Sequence, residues 1–196
     1  MAQEGIIGEP GLTRGAWLTC ADSEERALVA RAQQGDASAI DELYRRYRDR
    51  VYTLCLDLCG DPEEAEDLLQ ETFVNACRGL PKFAGRSTLA TWLYRIAVNA
   101  VRSSARRRRR EPIAGLPLPE PPPFAIDPDP ATISGVRAAL AGLHPRHRQV
   151  LALRYSQSLS YQEIGDSLGW PLARVRATLH RARCAFKKAY LRAQEL

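Results

Sequence analysis

Apolar residues recur every three to four positions through most of this chain and almost nowhere alternate with polar ones. A 3.6-residue period gathers such positions on one face of an α-helix, so the pattern predicts helices rather than strands. Leu28, Val29 and Ala32 mark a first helix starting near Asp22, where Asp22 and Glu25 have the spacing of a capping pair. Gly35-Asp36 breaks that helix and caps the next. Between 37 and 59, Ile40, Leu43, Tyr44, Tyr47, Val51, Leu54, Cys55 and Leu58 form one amphipathic stripe. Gly60-Asp61-Pro62-Glu63-Glu64 then punctuates the chain: glycine ends a helix, Asp caps its successor, Pro enters the first turn and acids follow. A third helix over 62–78 turns Ala65, Leu68, Leu69, Thr72, Phe73 and Ala76 inward. After a loop from Gly79 to Ser87, a fourth runs from Thr88 to Arg109.

At residue 111 the period stops. EPIAGLPLPEPPPFAIDPDPA holds eight prolines and four acids but no base. Proline lacks an amide proton and clashes with helical geometry, so 111–131 is expected to be an extended tether. At ~3.1 Å per residue it reaches about 65 Å. Helical spacing returns over 132–142, 145–155, 160–167 and 171–192. The expected fold class is all-α: a flexible tail over 1–21, a helical domain over 22–110, the Pro-rich acidic linker 111–131, and a second small helical domain over 132–196.

Composition narrows the function. No apolar run approaches the ~18 residues that a membrane span requires, and the opening MAQEGIIGEPGLTRG does not read as a signal peptide. A cytoplasmic protein without membrane insertion is expected. The five cysteines fit no disulfide framework. Cys55 and Cys59 are four apart but lack further ligands, and read as small buried residues. His144 and His147 have no metal partners either. No HExxH or P-loop occurs, so no metal, no cofactor, no catalytic residue and no enzyme activity are expected.

The charge of +5 is unevenly spread. Residues 86–110 carry eight basic side chains and no acid, and 171–196 carry seven basic and one acidic. DPEEAEDLLQE, over 61–71, has six acids and no base. Blocks of opposite sign suggest separate partners, nucleic acid for the basic ones and protein for the acidic one.

Within the second domain, Ser160-Tyr161-Gln162-Glu163 is a capping box, and Ile164 and Leu168 share a face. Gly165 fits where two helices cross closely, Gly169 fits a left-handed turn, Pro171 opens the next helix and Val175 points back to the junction. Those spacings predict a helix-turn-helix. Its second helix exposes Arg174, Arg176, Ala177, His180, Arg181 and Arg183 toward a major groove, where Arg is the usual bidentate partner of guanine. Lys187 and Lys188 lie better for phosphates. In the first domain, Phe83, Ala84, Gly85, Arg86 and Ser87 lead into a helix carrying Trp92, Arg95, Asn99 and Arg102 among basic residues. Aromatics beside positive charge suit unstacked bases, while Leu93 and Ile96 read as core.

Four stretches, DLLQETFVNAC, FAGRSTLATWLYRIAVNAV, LHPRHRQVLALRY and LSYQEIGDSLGWPLARVRATLHRAR, resemble the signature segments of bacterial RNA polymerase sigma factors. The likeness is to the extracytoplasmic-function branch of the sigma-70 family, and runs in order from Glu24 to Lys188. It implies a promoter-specificity factor whose first domain is sigma region 2 and whose second is sigma region 4. By the resemblance, Asp67, Leu68, Gln70, Glu71 and Phe73 bind core polymerase at the β′ clamp coiled coil. Phe83–Ser87 and the helix around Asn99 capture the −10 element, and the helix-turn-helix reads −35 on the β flap. Promoter DNA and core polymerase are thus the implied partners, with an anti-sigma protein as a further candidate. Arg86 stands where the family carries an acid, Ala84 where it carries a base, Ala177 for a usual serine and Thr178 for a usual arginine. These departures fall at base-reading positions. A different class of function, an autonomous helix-turn-helix repressor or activator, predicts tight specific binding of DNA without polymerase.

Overall fold

The computed structural model describes residues 21–110 and 130–194. The proposed tail, except Ala21, and nearly all of the proposed linker lie outside them. All regular structure among the described residues is helical. By contacts the chain divides into residues up to Leu43 and residues from Tyr44 onward.

In the first unit, α1 spans Ala21–Gln33 and α2 begins at Ala37. Asp36 caps α2, accepting from the Ser38 amide at 2.9 Å and the Ala39 amide at 3.3 Å. Arg31 reaches across the turn to the same carboxylate at 2.7 Å. The Ser38 hydroxyl and the Arg31 guanidinium together hold the Asp36 pKa down to about 2.

In the second unit, α2 continues to Cys59, burying Tyr47, Val51, Leu54, Cys55 and Leu58. Tyr44 departs from the expected stripe and is 36% exposed. Asp61 caps α3 (Pro62–Gly79) by accepting from the Glu64 amide, with Pro62 in the first turn as the punctuation requires. Ala65, Leu68, Leu69, Thr72 and Ala76 are buried along α3, while Phe73 is only half-buried. A 3-10 turn (Leu80–Lys82) and the loop follow, and then α4 (Leu89–Arg110) packs along α3. Thr88 caps α4 with its hydroxyl on the Thr91 amide at 3.1 Å.

After 111–129 come α5 (Pro130–Ala141) and α6 (Pro145–Leu151), both packed on α8. The expected single helix over 145–155 is broken: past Leu151 it widens into a π turn, Ala152–Ser156, closed by a Gln157 amide to Ala152 carbonyl bond of 3.1 Å. Helix α7 (Tyr161–Leu168) and α8 (Leu172–Gln194) complete the unit, and α7 packs on both α8 and α4. No helix among the described residues is long and apolar enough to cross a membrane.

Candidate nucleic-acid interface

The capping box at α7 is formed in full. Glu163 donates its amide to the Ser160 hydroxyl, and its carboxylate accepts from the Ser160 amide at 2.8 Å. Gly169 closes the helix at φ 66°, a left-handed conformation that a side chain would strain. The Trp170 amide then donates back to the Gly165 carbonyl at 2.9 Å. This folds the turn onto Gly165 so tightly that a Cβ there would sit 2.8 Å from the Trp170 carbonyl oxygen. The need for glycine comes from the turn's own backbone, with the Val175 side chain further off at 3.8 Å. Pro171 lies just before α8, its carbonyl accepting from the Arg174 and Val175 amides.

Helix α8 is clearly two-faced. Val175, Thr178, Leu179 and Ala182 are buried, while Arg174, Arg176, Ala177, His180, Arg181 and Arg183 are exposed. Thr178 is only 4% exposed, so it packs in the junction and cannot read a base. Exposed residues four, three and four apart define the crest opposite the core: Ala173, Ala177, His180 and Cys184. Ala173 and Cys184 went unrecognised in the sequence, although extending the period from Ala177 and His180 finds both. The arginines flank the crest. Arg174 lies over the Trp170 ring at 4.1 Å, which gives the large turn residue a purpose, that of a platform for this guanidinium. Arg181 donates to the Ala177 carbonyl at 3.2 Å, and Arg183 lies 3.5 Å from the Tyr161 hydroxyl.

The other basic-aromatic region is organised by Trp92. Its half-buried ring packs 5.0 Å from Phe83 and comes so close to Gly79 that a Cβ there would lie 3.1 Å away. Ala84, Gly85 and Arg86 are exposed and Ser87 half-buried. Arg95 and Asn99 are exposed on α4, one turn apart. Arg102 is different. It is half-buried and donates to the Gln149 Oε1 at 3.1 Å, so it is engaged within the chain.

Two further expectations change. Leu68 is 2% exposed and belongs to the core, because it lies on the inward stripe with Ala65, Leu69 and Thr72; it offers no surface to a partner. Asp67 and Gln70 are exposed beside it, Glu71 is half-buried, and Phe73 meets Tyr44 edge-on at 4.8 Å. The opposite charge blocks are also not fully separate. Glu64 accepts from Ser104 at 2.8 Å and pairs with Arg108, and Glu71 pairs with Arg107 at 3.1 Å. Helices α3 and α4 thus neutralise part of each other's charge.

Among the described residues no group of three His, Cys, Asp or Glu converges. The His144 Nδ1 accepts from the Arg146 amide, which makes it a helix cap. Burial pushes the Cys55 thiol up to about 12 and the Cys59 thiol to about 11, as for inert interior cysteines.

Residues 43–111 match the family Sigma-70 region 2, and residues 139–188 match Sigma-70, region 4. The ECF RNA polymerase sigma factor SigE of Mycolicibacterium smegmatis is 37% identical over 85% of this chain and 68% of its own length. The RNA polymerase sigma factor YlaC of Bacillus subtilis is 34% identical over 80% of this chain and 95% of its own. Among solved structures, CnrH, in complex with the cytosolic domain of CnrY, aligns at a TM-score of 0.65 and 25% identity, covering 84% of this chain and 95% of that one. The sigma factor RpoE from Bartonella quintana, in complex with the anti-sigma factor NepR, shares the fold at a TM-score of 0.67 and 21% identity, over 76% and 94% of the two chains. The helix-turn-helix, the basic-aromatic helix and these matches agree: the chain belongs to the extracytoplasmic-function branch of the sigma-70 family, non-enzymatic factors that direct RNA polymerase to promoters.

Proposed function

We propose that the crest and flanks of α8 read the −35 element, with Arg176, His180 and Arg181 meeting bases and Arg174 and Arg183 meeting phosphates. The observation that carries this reading is the two-faced burial of α8: its whole exposed side from Ala173 to Cys184 is either small or basic. Ala177 at the crest lets the groove floor approach closely, and His180 supplies the polar edge beside it. The −10 element is proposed to meet Phe83–Ser87, Trp92, Arg95 and Asn99, with Arg102 joining once freed from Gln149. Core polymerase is proposed to dock its β′ clamp coiled coil on Asp67, Gln70, Glu71 and Phe73, and its β flap on the C-terminal part.

In this reading 22–110 and 132–196 work as two modules joined by the Pro-rich 111–131, in the cytoplasm where the polymerase acts. An anti-sigma protein belongs among the partners, by analogy with RpoE, which was solved with the anti-sigma factor NepR.

Run-off transcription on a promoter library, with core polymerase present, tests the assignment. Arg181→Ala should cost about 1–3 kcal/mol at one −35 position and relax preference there. Equal loss on every sequence would make Arg181 a phosphate contact. Strong footprints by the protein without polymerase would instead favour an autonomous regulator.

A further inference from the structure

Between α2, α5, α6 and α8 lies a cavity of about 550 Å³. Val136 and Leu140 of α5, Leu151 of α6 and Phe186 of α8 give it apolar walls. The π turn closes one side with Ala152, Tyr155 and Ser156. A π turn inserts an extra residue into the helical circuit and is frequent at functional sites. Here it places the Ser156 side chain in a hydrogen bond with the Asp57 carboxylate, which reaches the cavity from α2.

Among the described residues on the walls, Asp57 is the only acid. Its Oδ2 is buried and has no hydrogen-bond partner. Burial pushes the Asp57 pKa up, against the bond from Ser156. An orphaned oxygen of this kind calls for a donor. One water, at about 30 Å³, would satisfy the oxygen but leave the apolar walls bare. A cavity of several hundred Å³ with apolar walls and a few convergent polar groups is the usual form of a small-molecule site.

The two cations on the walls are already engaged. Arg148 donates to the carbonyls of Leu58, Leu140 and Ala141, and Arg183 lies 3.5 Å from the Tyr161 hydroxyl. Two guanidiniums against one carboxylate disfavour an ammonium in the cavity, and a ligand carboxylate would meet the like charge of Asp57. An uncharged donor suffers neither repulsion. A phenolic O–H donates more strongly than an alkyl one, and its ring suits the faces of Tyr155 and Phe186. We propose that this cavity is a binding site for an uncharged apolar molecule of the phenol class, its hydroxyl donating to Asp57 Oδ2 and its body packing between Leu140, Leu151 and Phe186. Arg183 apart, none of these residues belongs to the surfaces proposed for DNA, so the site is an addition to promoter reading.

The test is a titration of the isotope-labelled full-length chain, followed by NMR, and it does not depend on the sigma assignment. The probes are 4-butylphenol and its methyl ether, 4-butylanisole, which keeps the shape and lacks the donor. One phenol should bind saturably, shifting the amides of Ala152, Tyr155 and Ser156, and the ether should bind about tenfold more weakly. Equal binding of the two, no saturation up to the solubility limit of the phenol, or shifts confined to other residues overturns the proposal. Tighter binding of 4-butylbenzylamine than of the phenol also overturns it, because the head group would then be a cation. Asp57→Leu should abolish the preference for the phenol over the ether. A preference that survives in the folded variant gives the hydroxyl to another partner and refutes the assignment. If circular dichroism shows that Asp57→Leu does not fold, Val136→Trp decides, since it fills the cavity from α5. It should weaken the phenol about tenfold or more, and unchanged affinity would sink the site.

Discussion

Replacing Gly165 by Ala sets two well-known effects against each other, and the structure decides the sign. Alanine in a helix interior is favoured over glycine by roughly 0.5–1 kcal/mol. Against this, the new Cβ would stand 2.8 Å from the Trp170 carbonyl oxygen, well inside ordinary contact. That oxygen is backbone and cannot rotate away. The Gly165 carbonyl accepts from both the Gly169 and Trp170 amides, so moving the turn strains the bonds that close α7. Overpacking of this kind costs about 1–3 kcal/mol. The net expectation for Gly165→Ala is a loss of about 1–2 kcal/mol, read by urea denaturation, together with weaker promoter binding by the holoenzyme. Gly142→Ala is the control, because a Cβ there meets nothing closer than 3.8 Å; its stability should change by less than about 0.5 kcal/mol. If Gly165→Ala is as stable as the wild type or more so, the tight turn is not what keeps glycine at 165.

Ser158 has φ 55° without being glycine, so Ser158→Gly should relieve about 1 kcal/mol of strain and raise the melting temperature; a lower one contradicts the assigned backbone. Glu64, with its side chain only 14% exposed, joins α3 to Ser104 and Arg108 of α4, and Glu64→Ala should cost about 1–2 kcal/mol by denaturant titration. Glu71→Ala, removing a more open pair with Arg107, should cost less than about 0.5 kcal/mol, and equal losses would show that exposure does not govern these pairs. Burial first, then Arg146, His144 and Arg181, depress the His147 pKa below 6.5. A base so depressed favours the fold only when neutral, so stability should be full above pH 6.5 and fall as the pH drops below it. His147→Gln should flatten that limb. The Asp36 carboxylate, held to about 2, acts in a separate window: its contribution is full above the ordinary Asp value of 3.8 and lost as the pH falls through 2, as an Asp36→Asn comparison would reveal.

Features set by neighbours in sequence were legible from sequence. Capping at Asp36, Asp61 and Ser160, the left-handed Gly169 and the buried Val175 each depend on a handful of adjacent residues, and all are present. The exposed arginines of α8 followed from the same period. What escaped depends on contacts distant in the chain. The π turn after Leu151 breaks a helix whose local pattern runs on. Leu68 carried two readings, core stripe and partner surface, and only its burial in the folded chain decides for the core. The place of Trp170 in the turn was not legible because its ring meets Arg174, four residues on and held over it by the turn between them.

The charge blocks show the same limit and bear on mechanism. Read along the chain, 61–71 and 106–110 are an acidic and a basic surface, each for its own partner. Folded, Glu64 and Glu71 take Arg108 and Arg107, and Arg102 goes to Gln149. The positive charge left free on α4 is therefore smaller than the sequence count, and of the proposed −10 contacts on that helix Arg95 and Asn99 are the exposed ones. Exposed ion pairs are weak, on the order of 1 kcal/mol or less, so a polyanion can displace them. Phosphates arriving along α4 would release Glu71 and then leave its acid free beside Asp67 and Gln70, the surface expected to meet the polymerase. Promoter capture and core binding would then share one set of ion pairs, which couples them in sign: each makes the other easier, as reciprocal linkage requires.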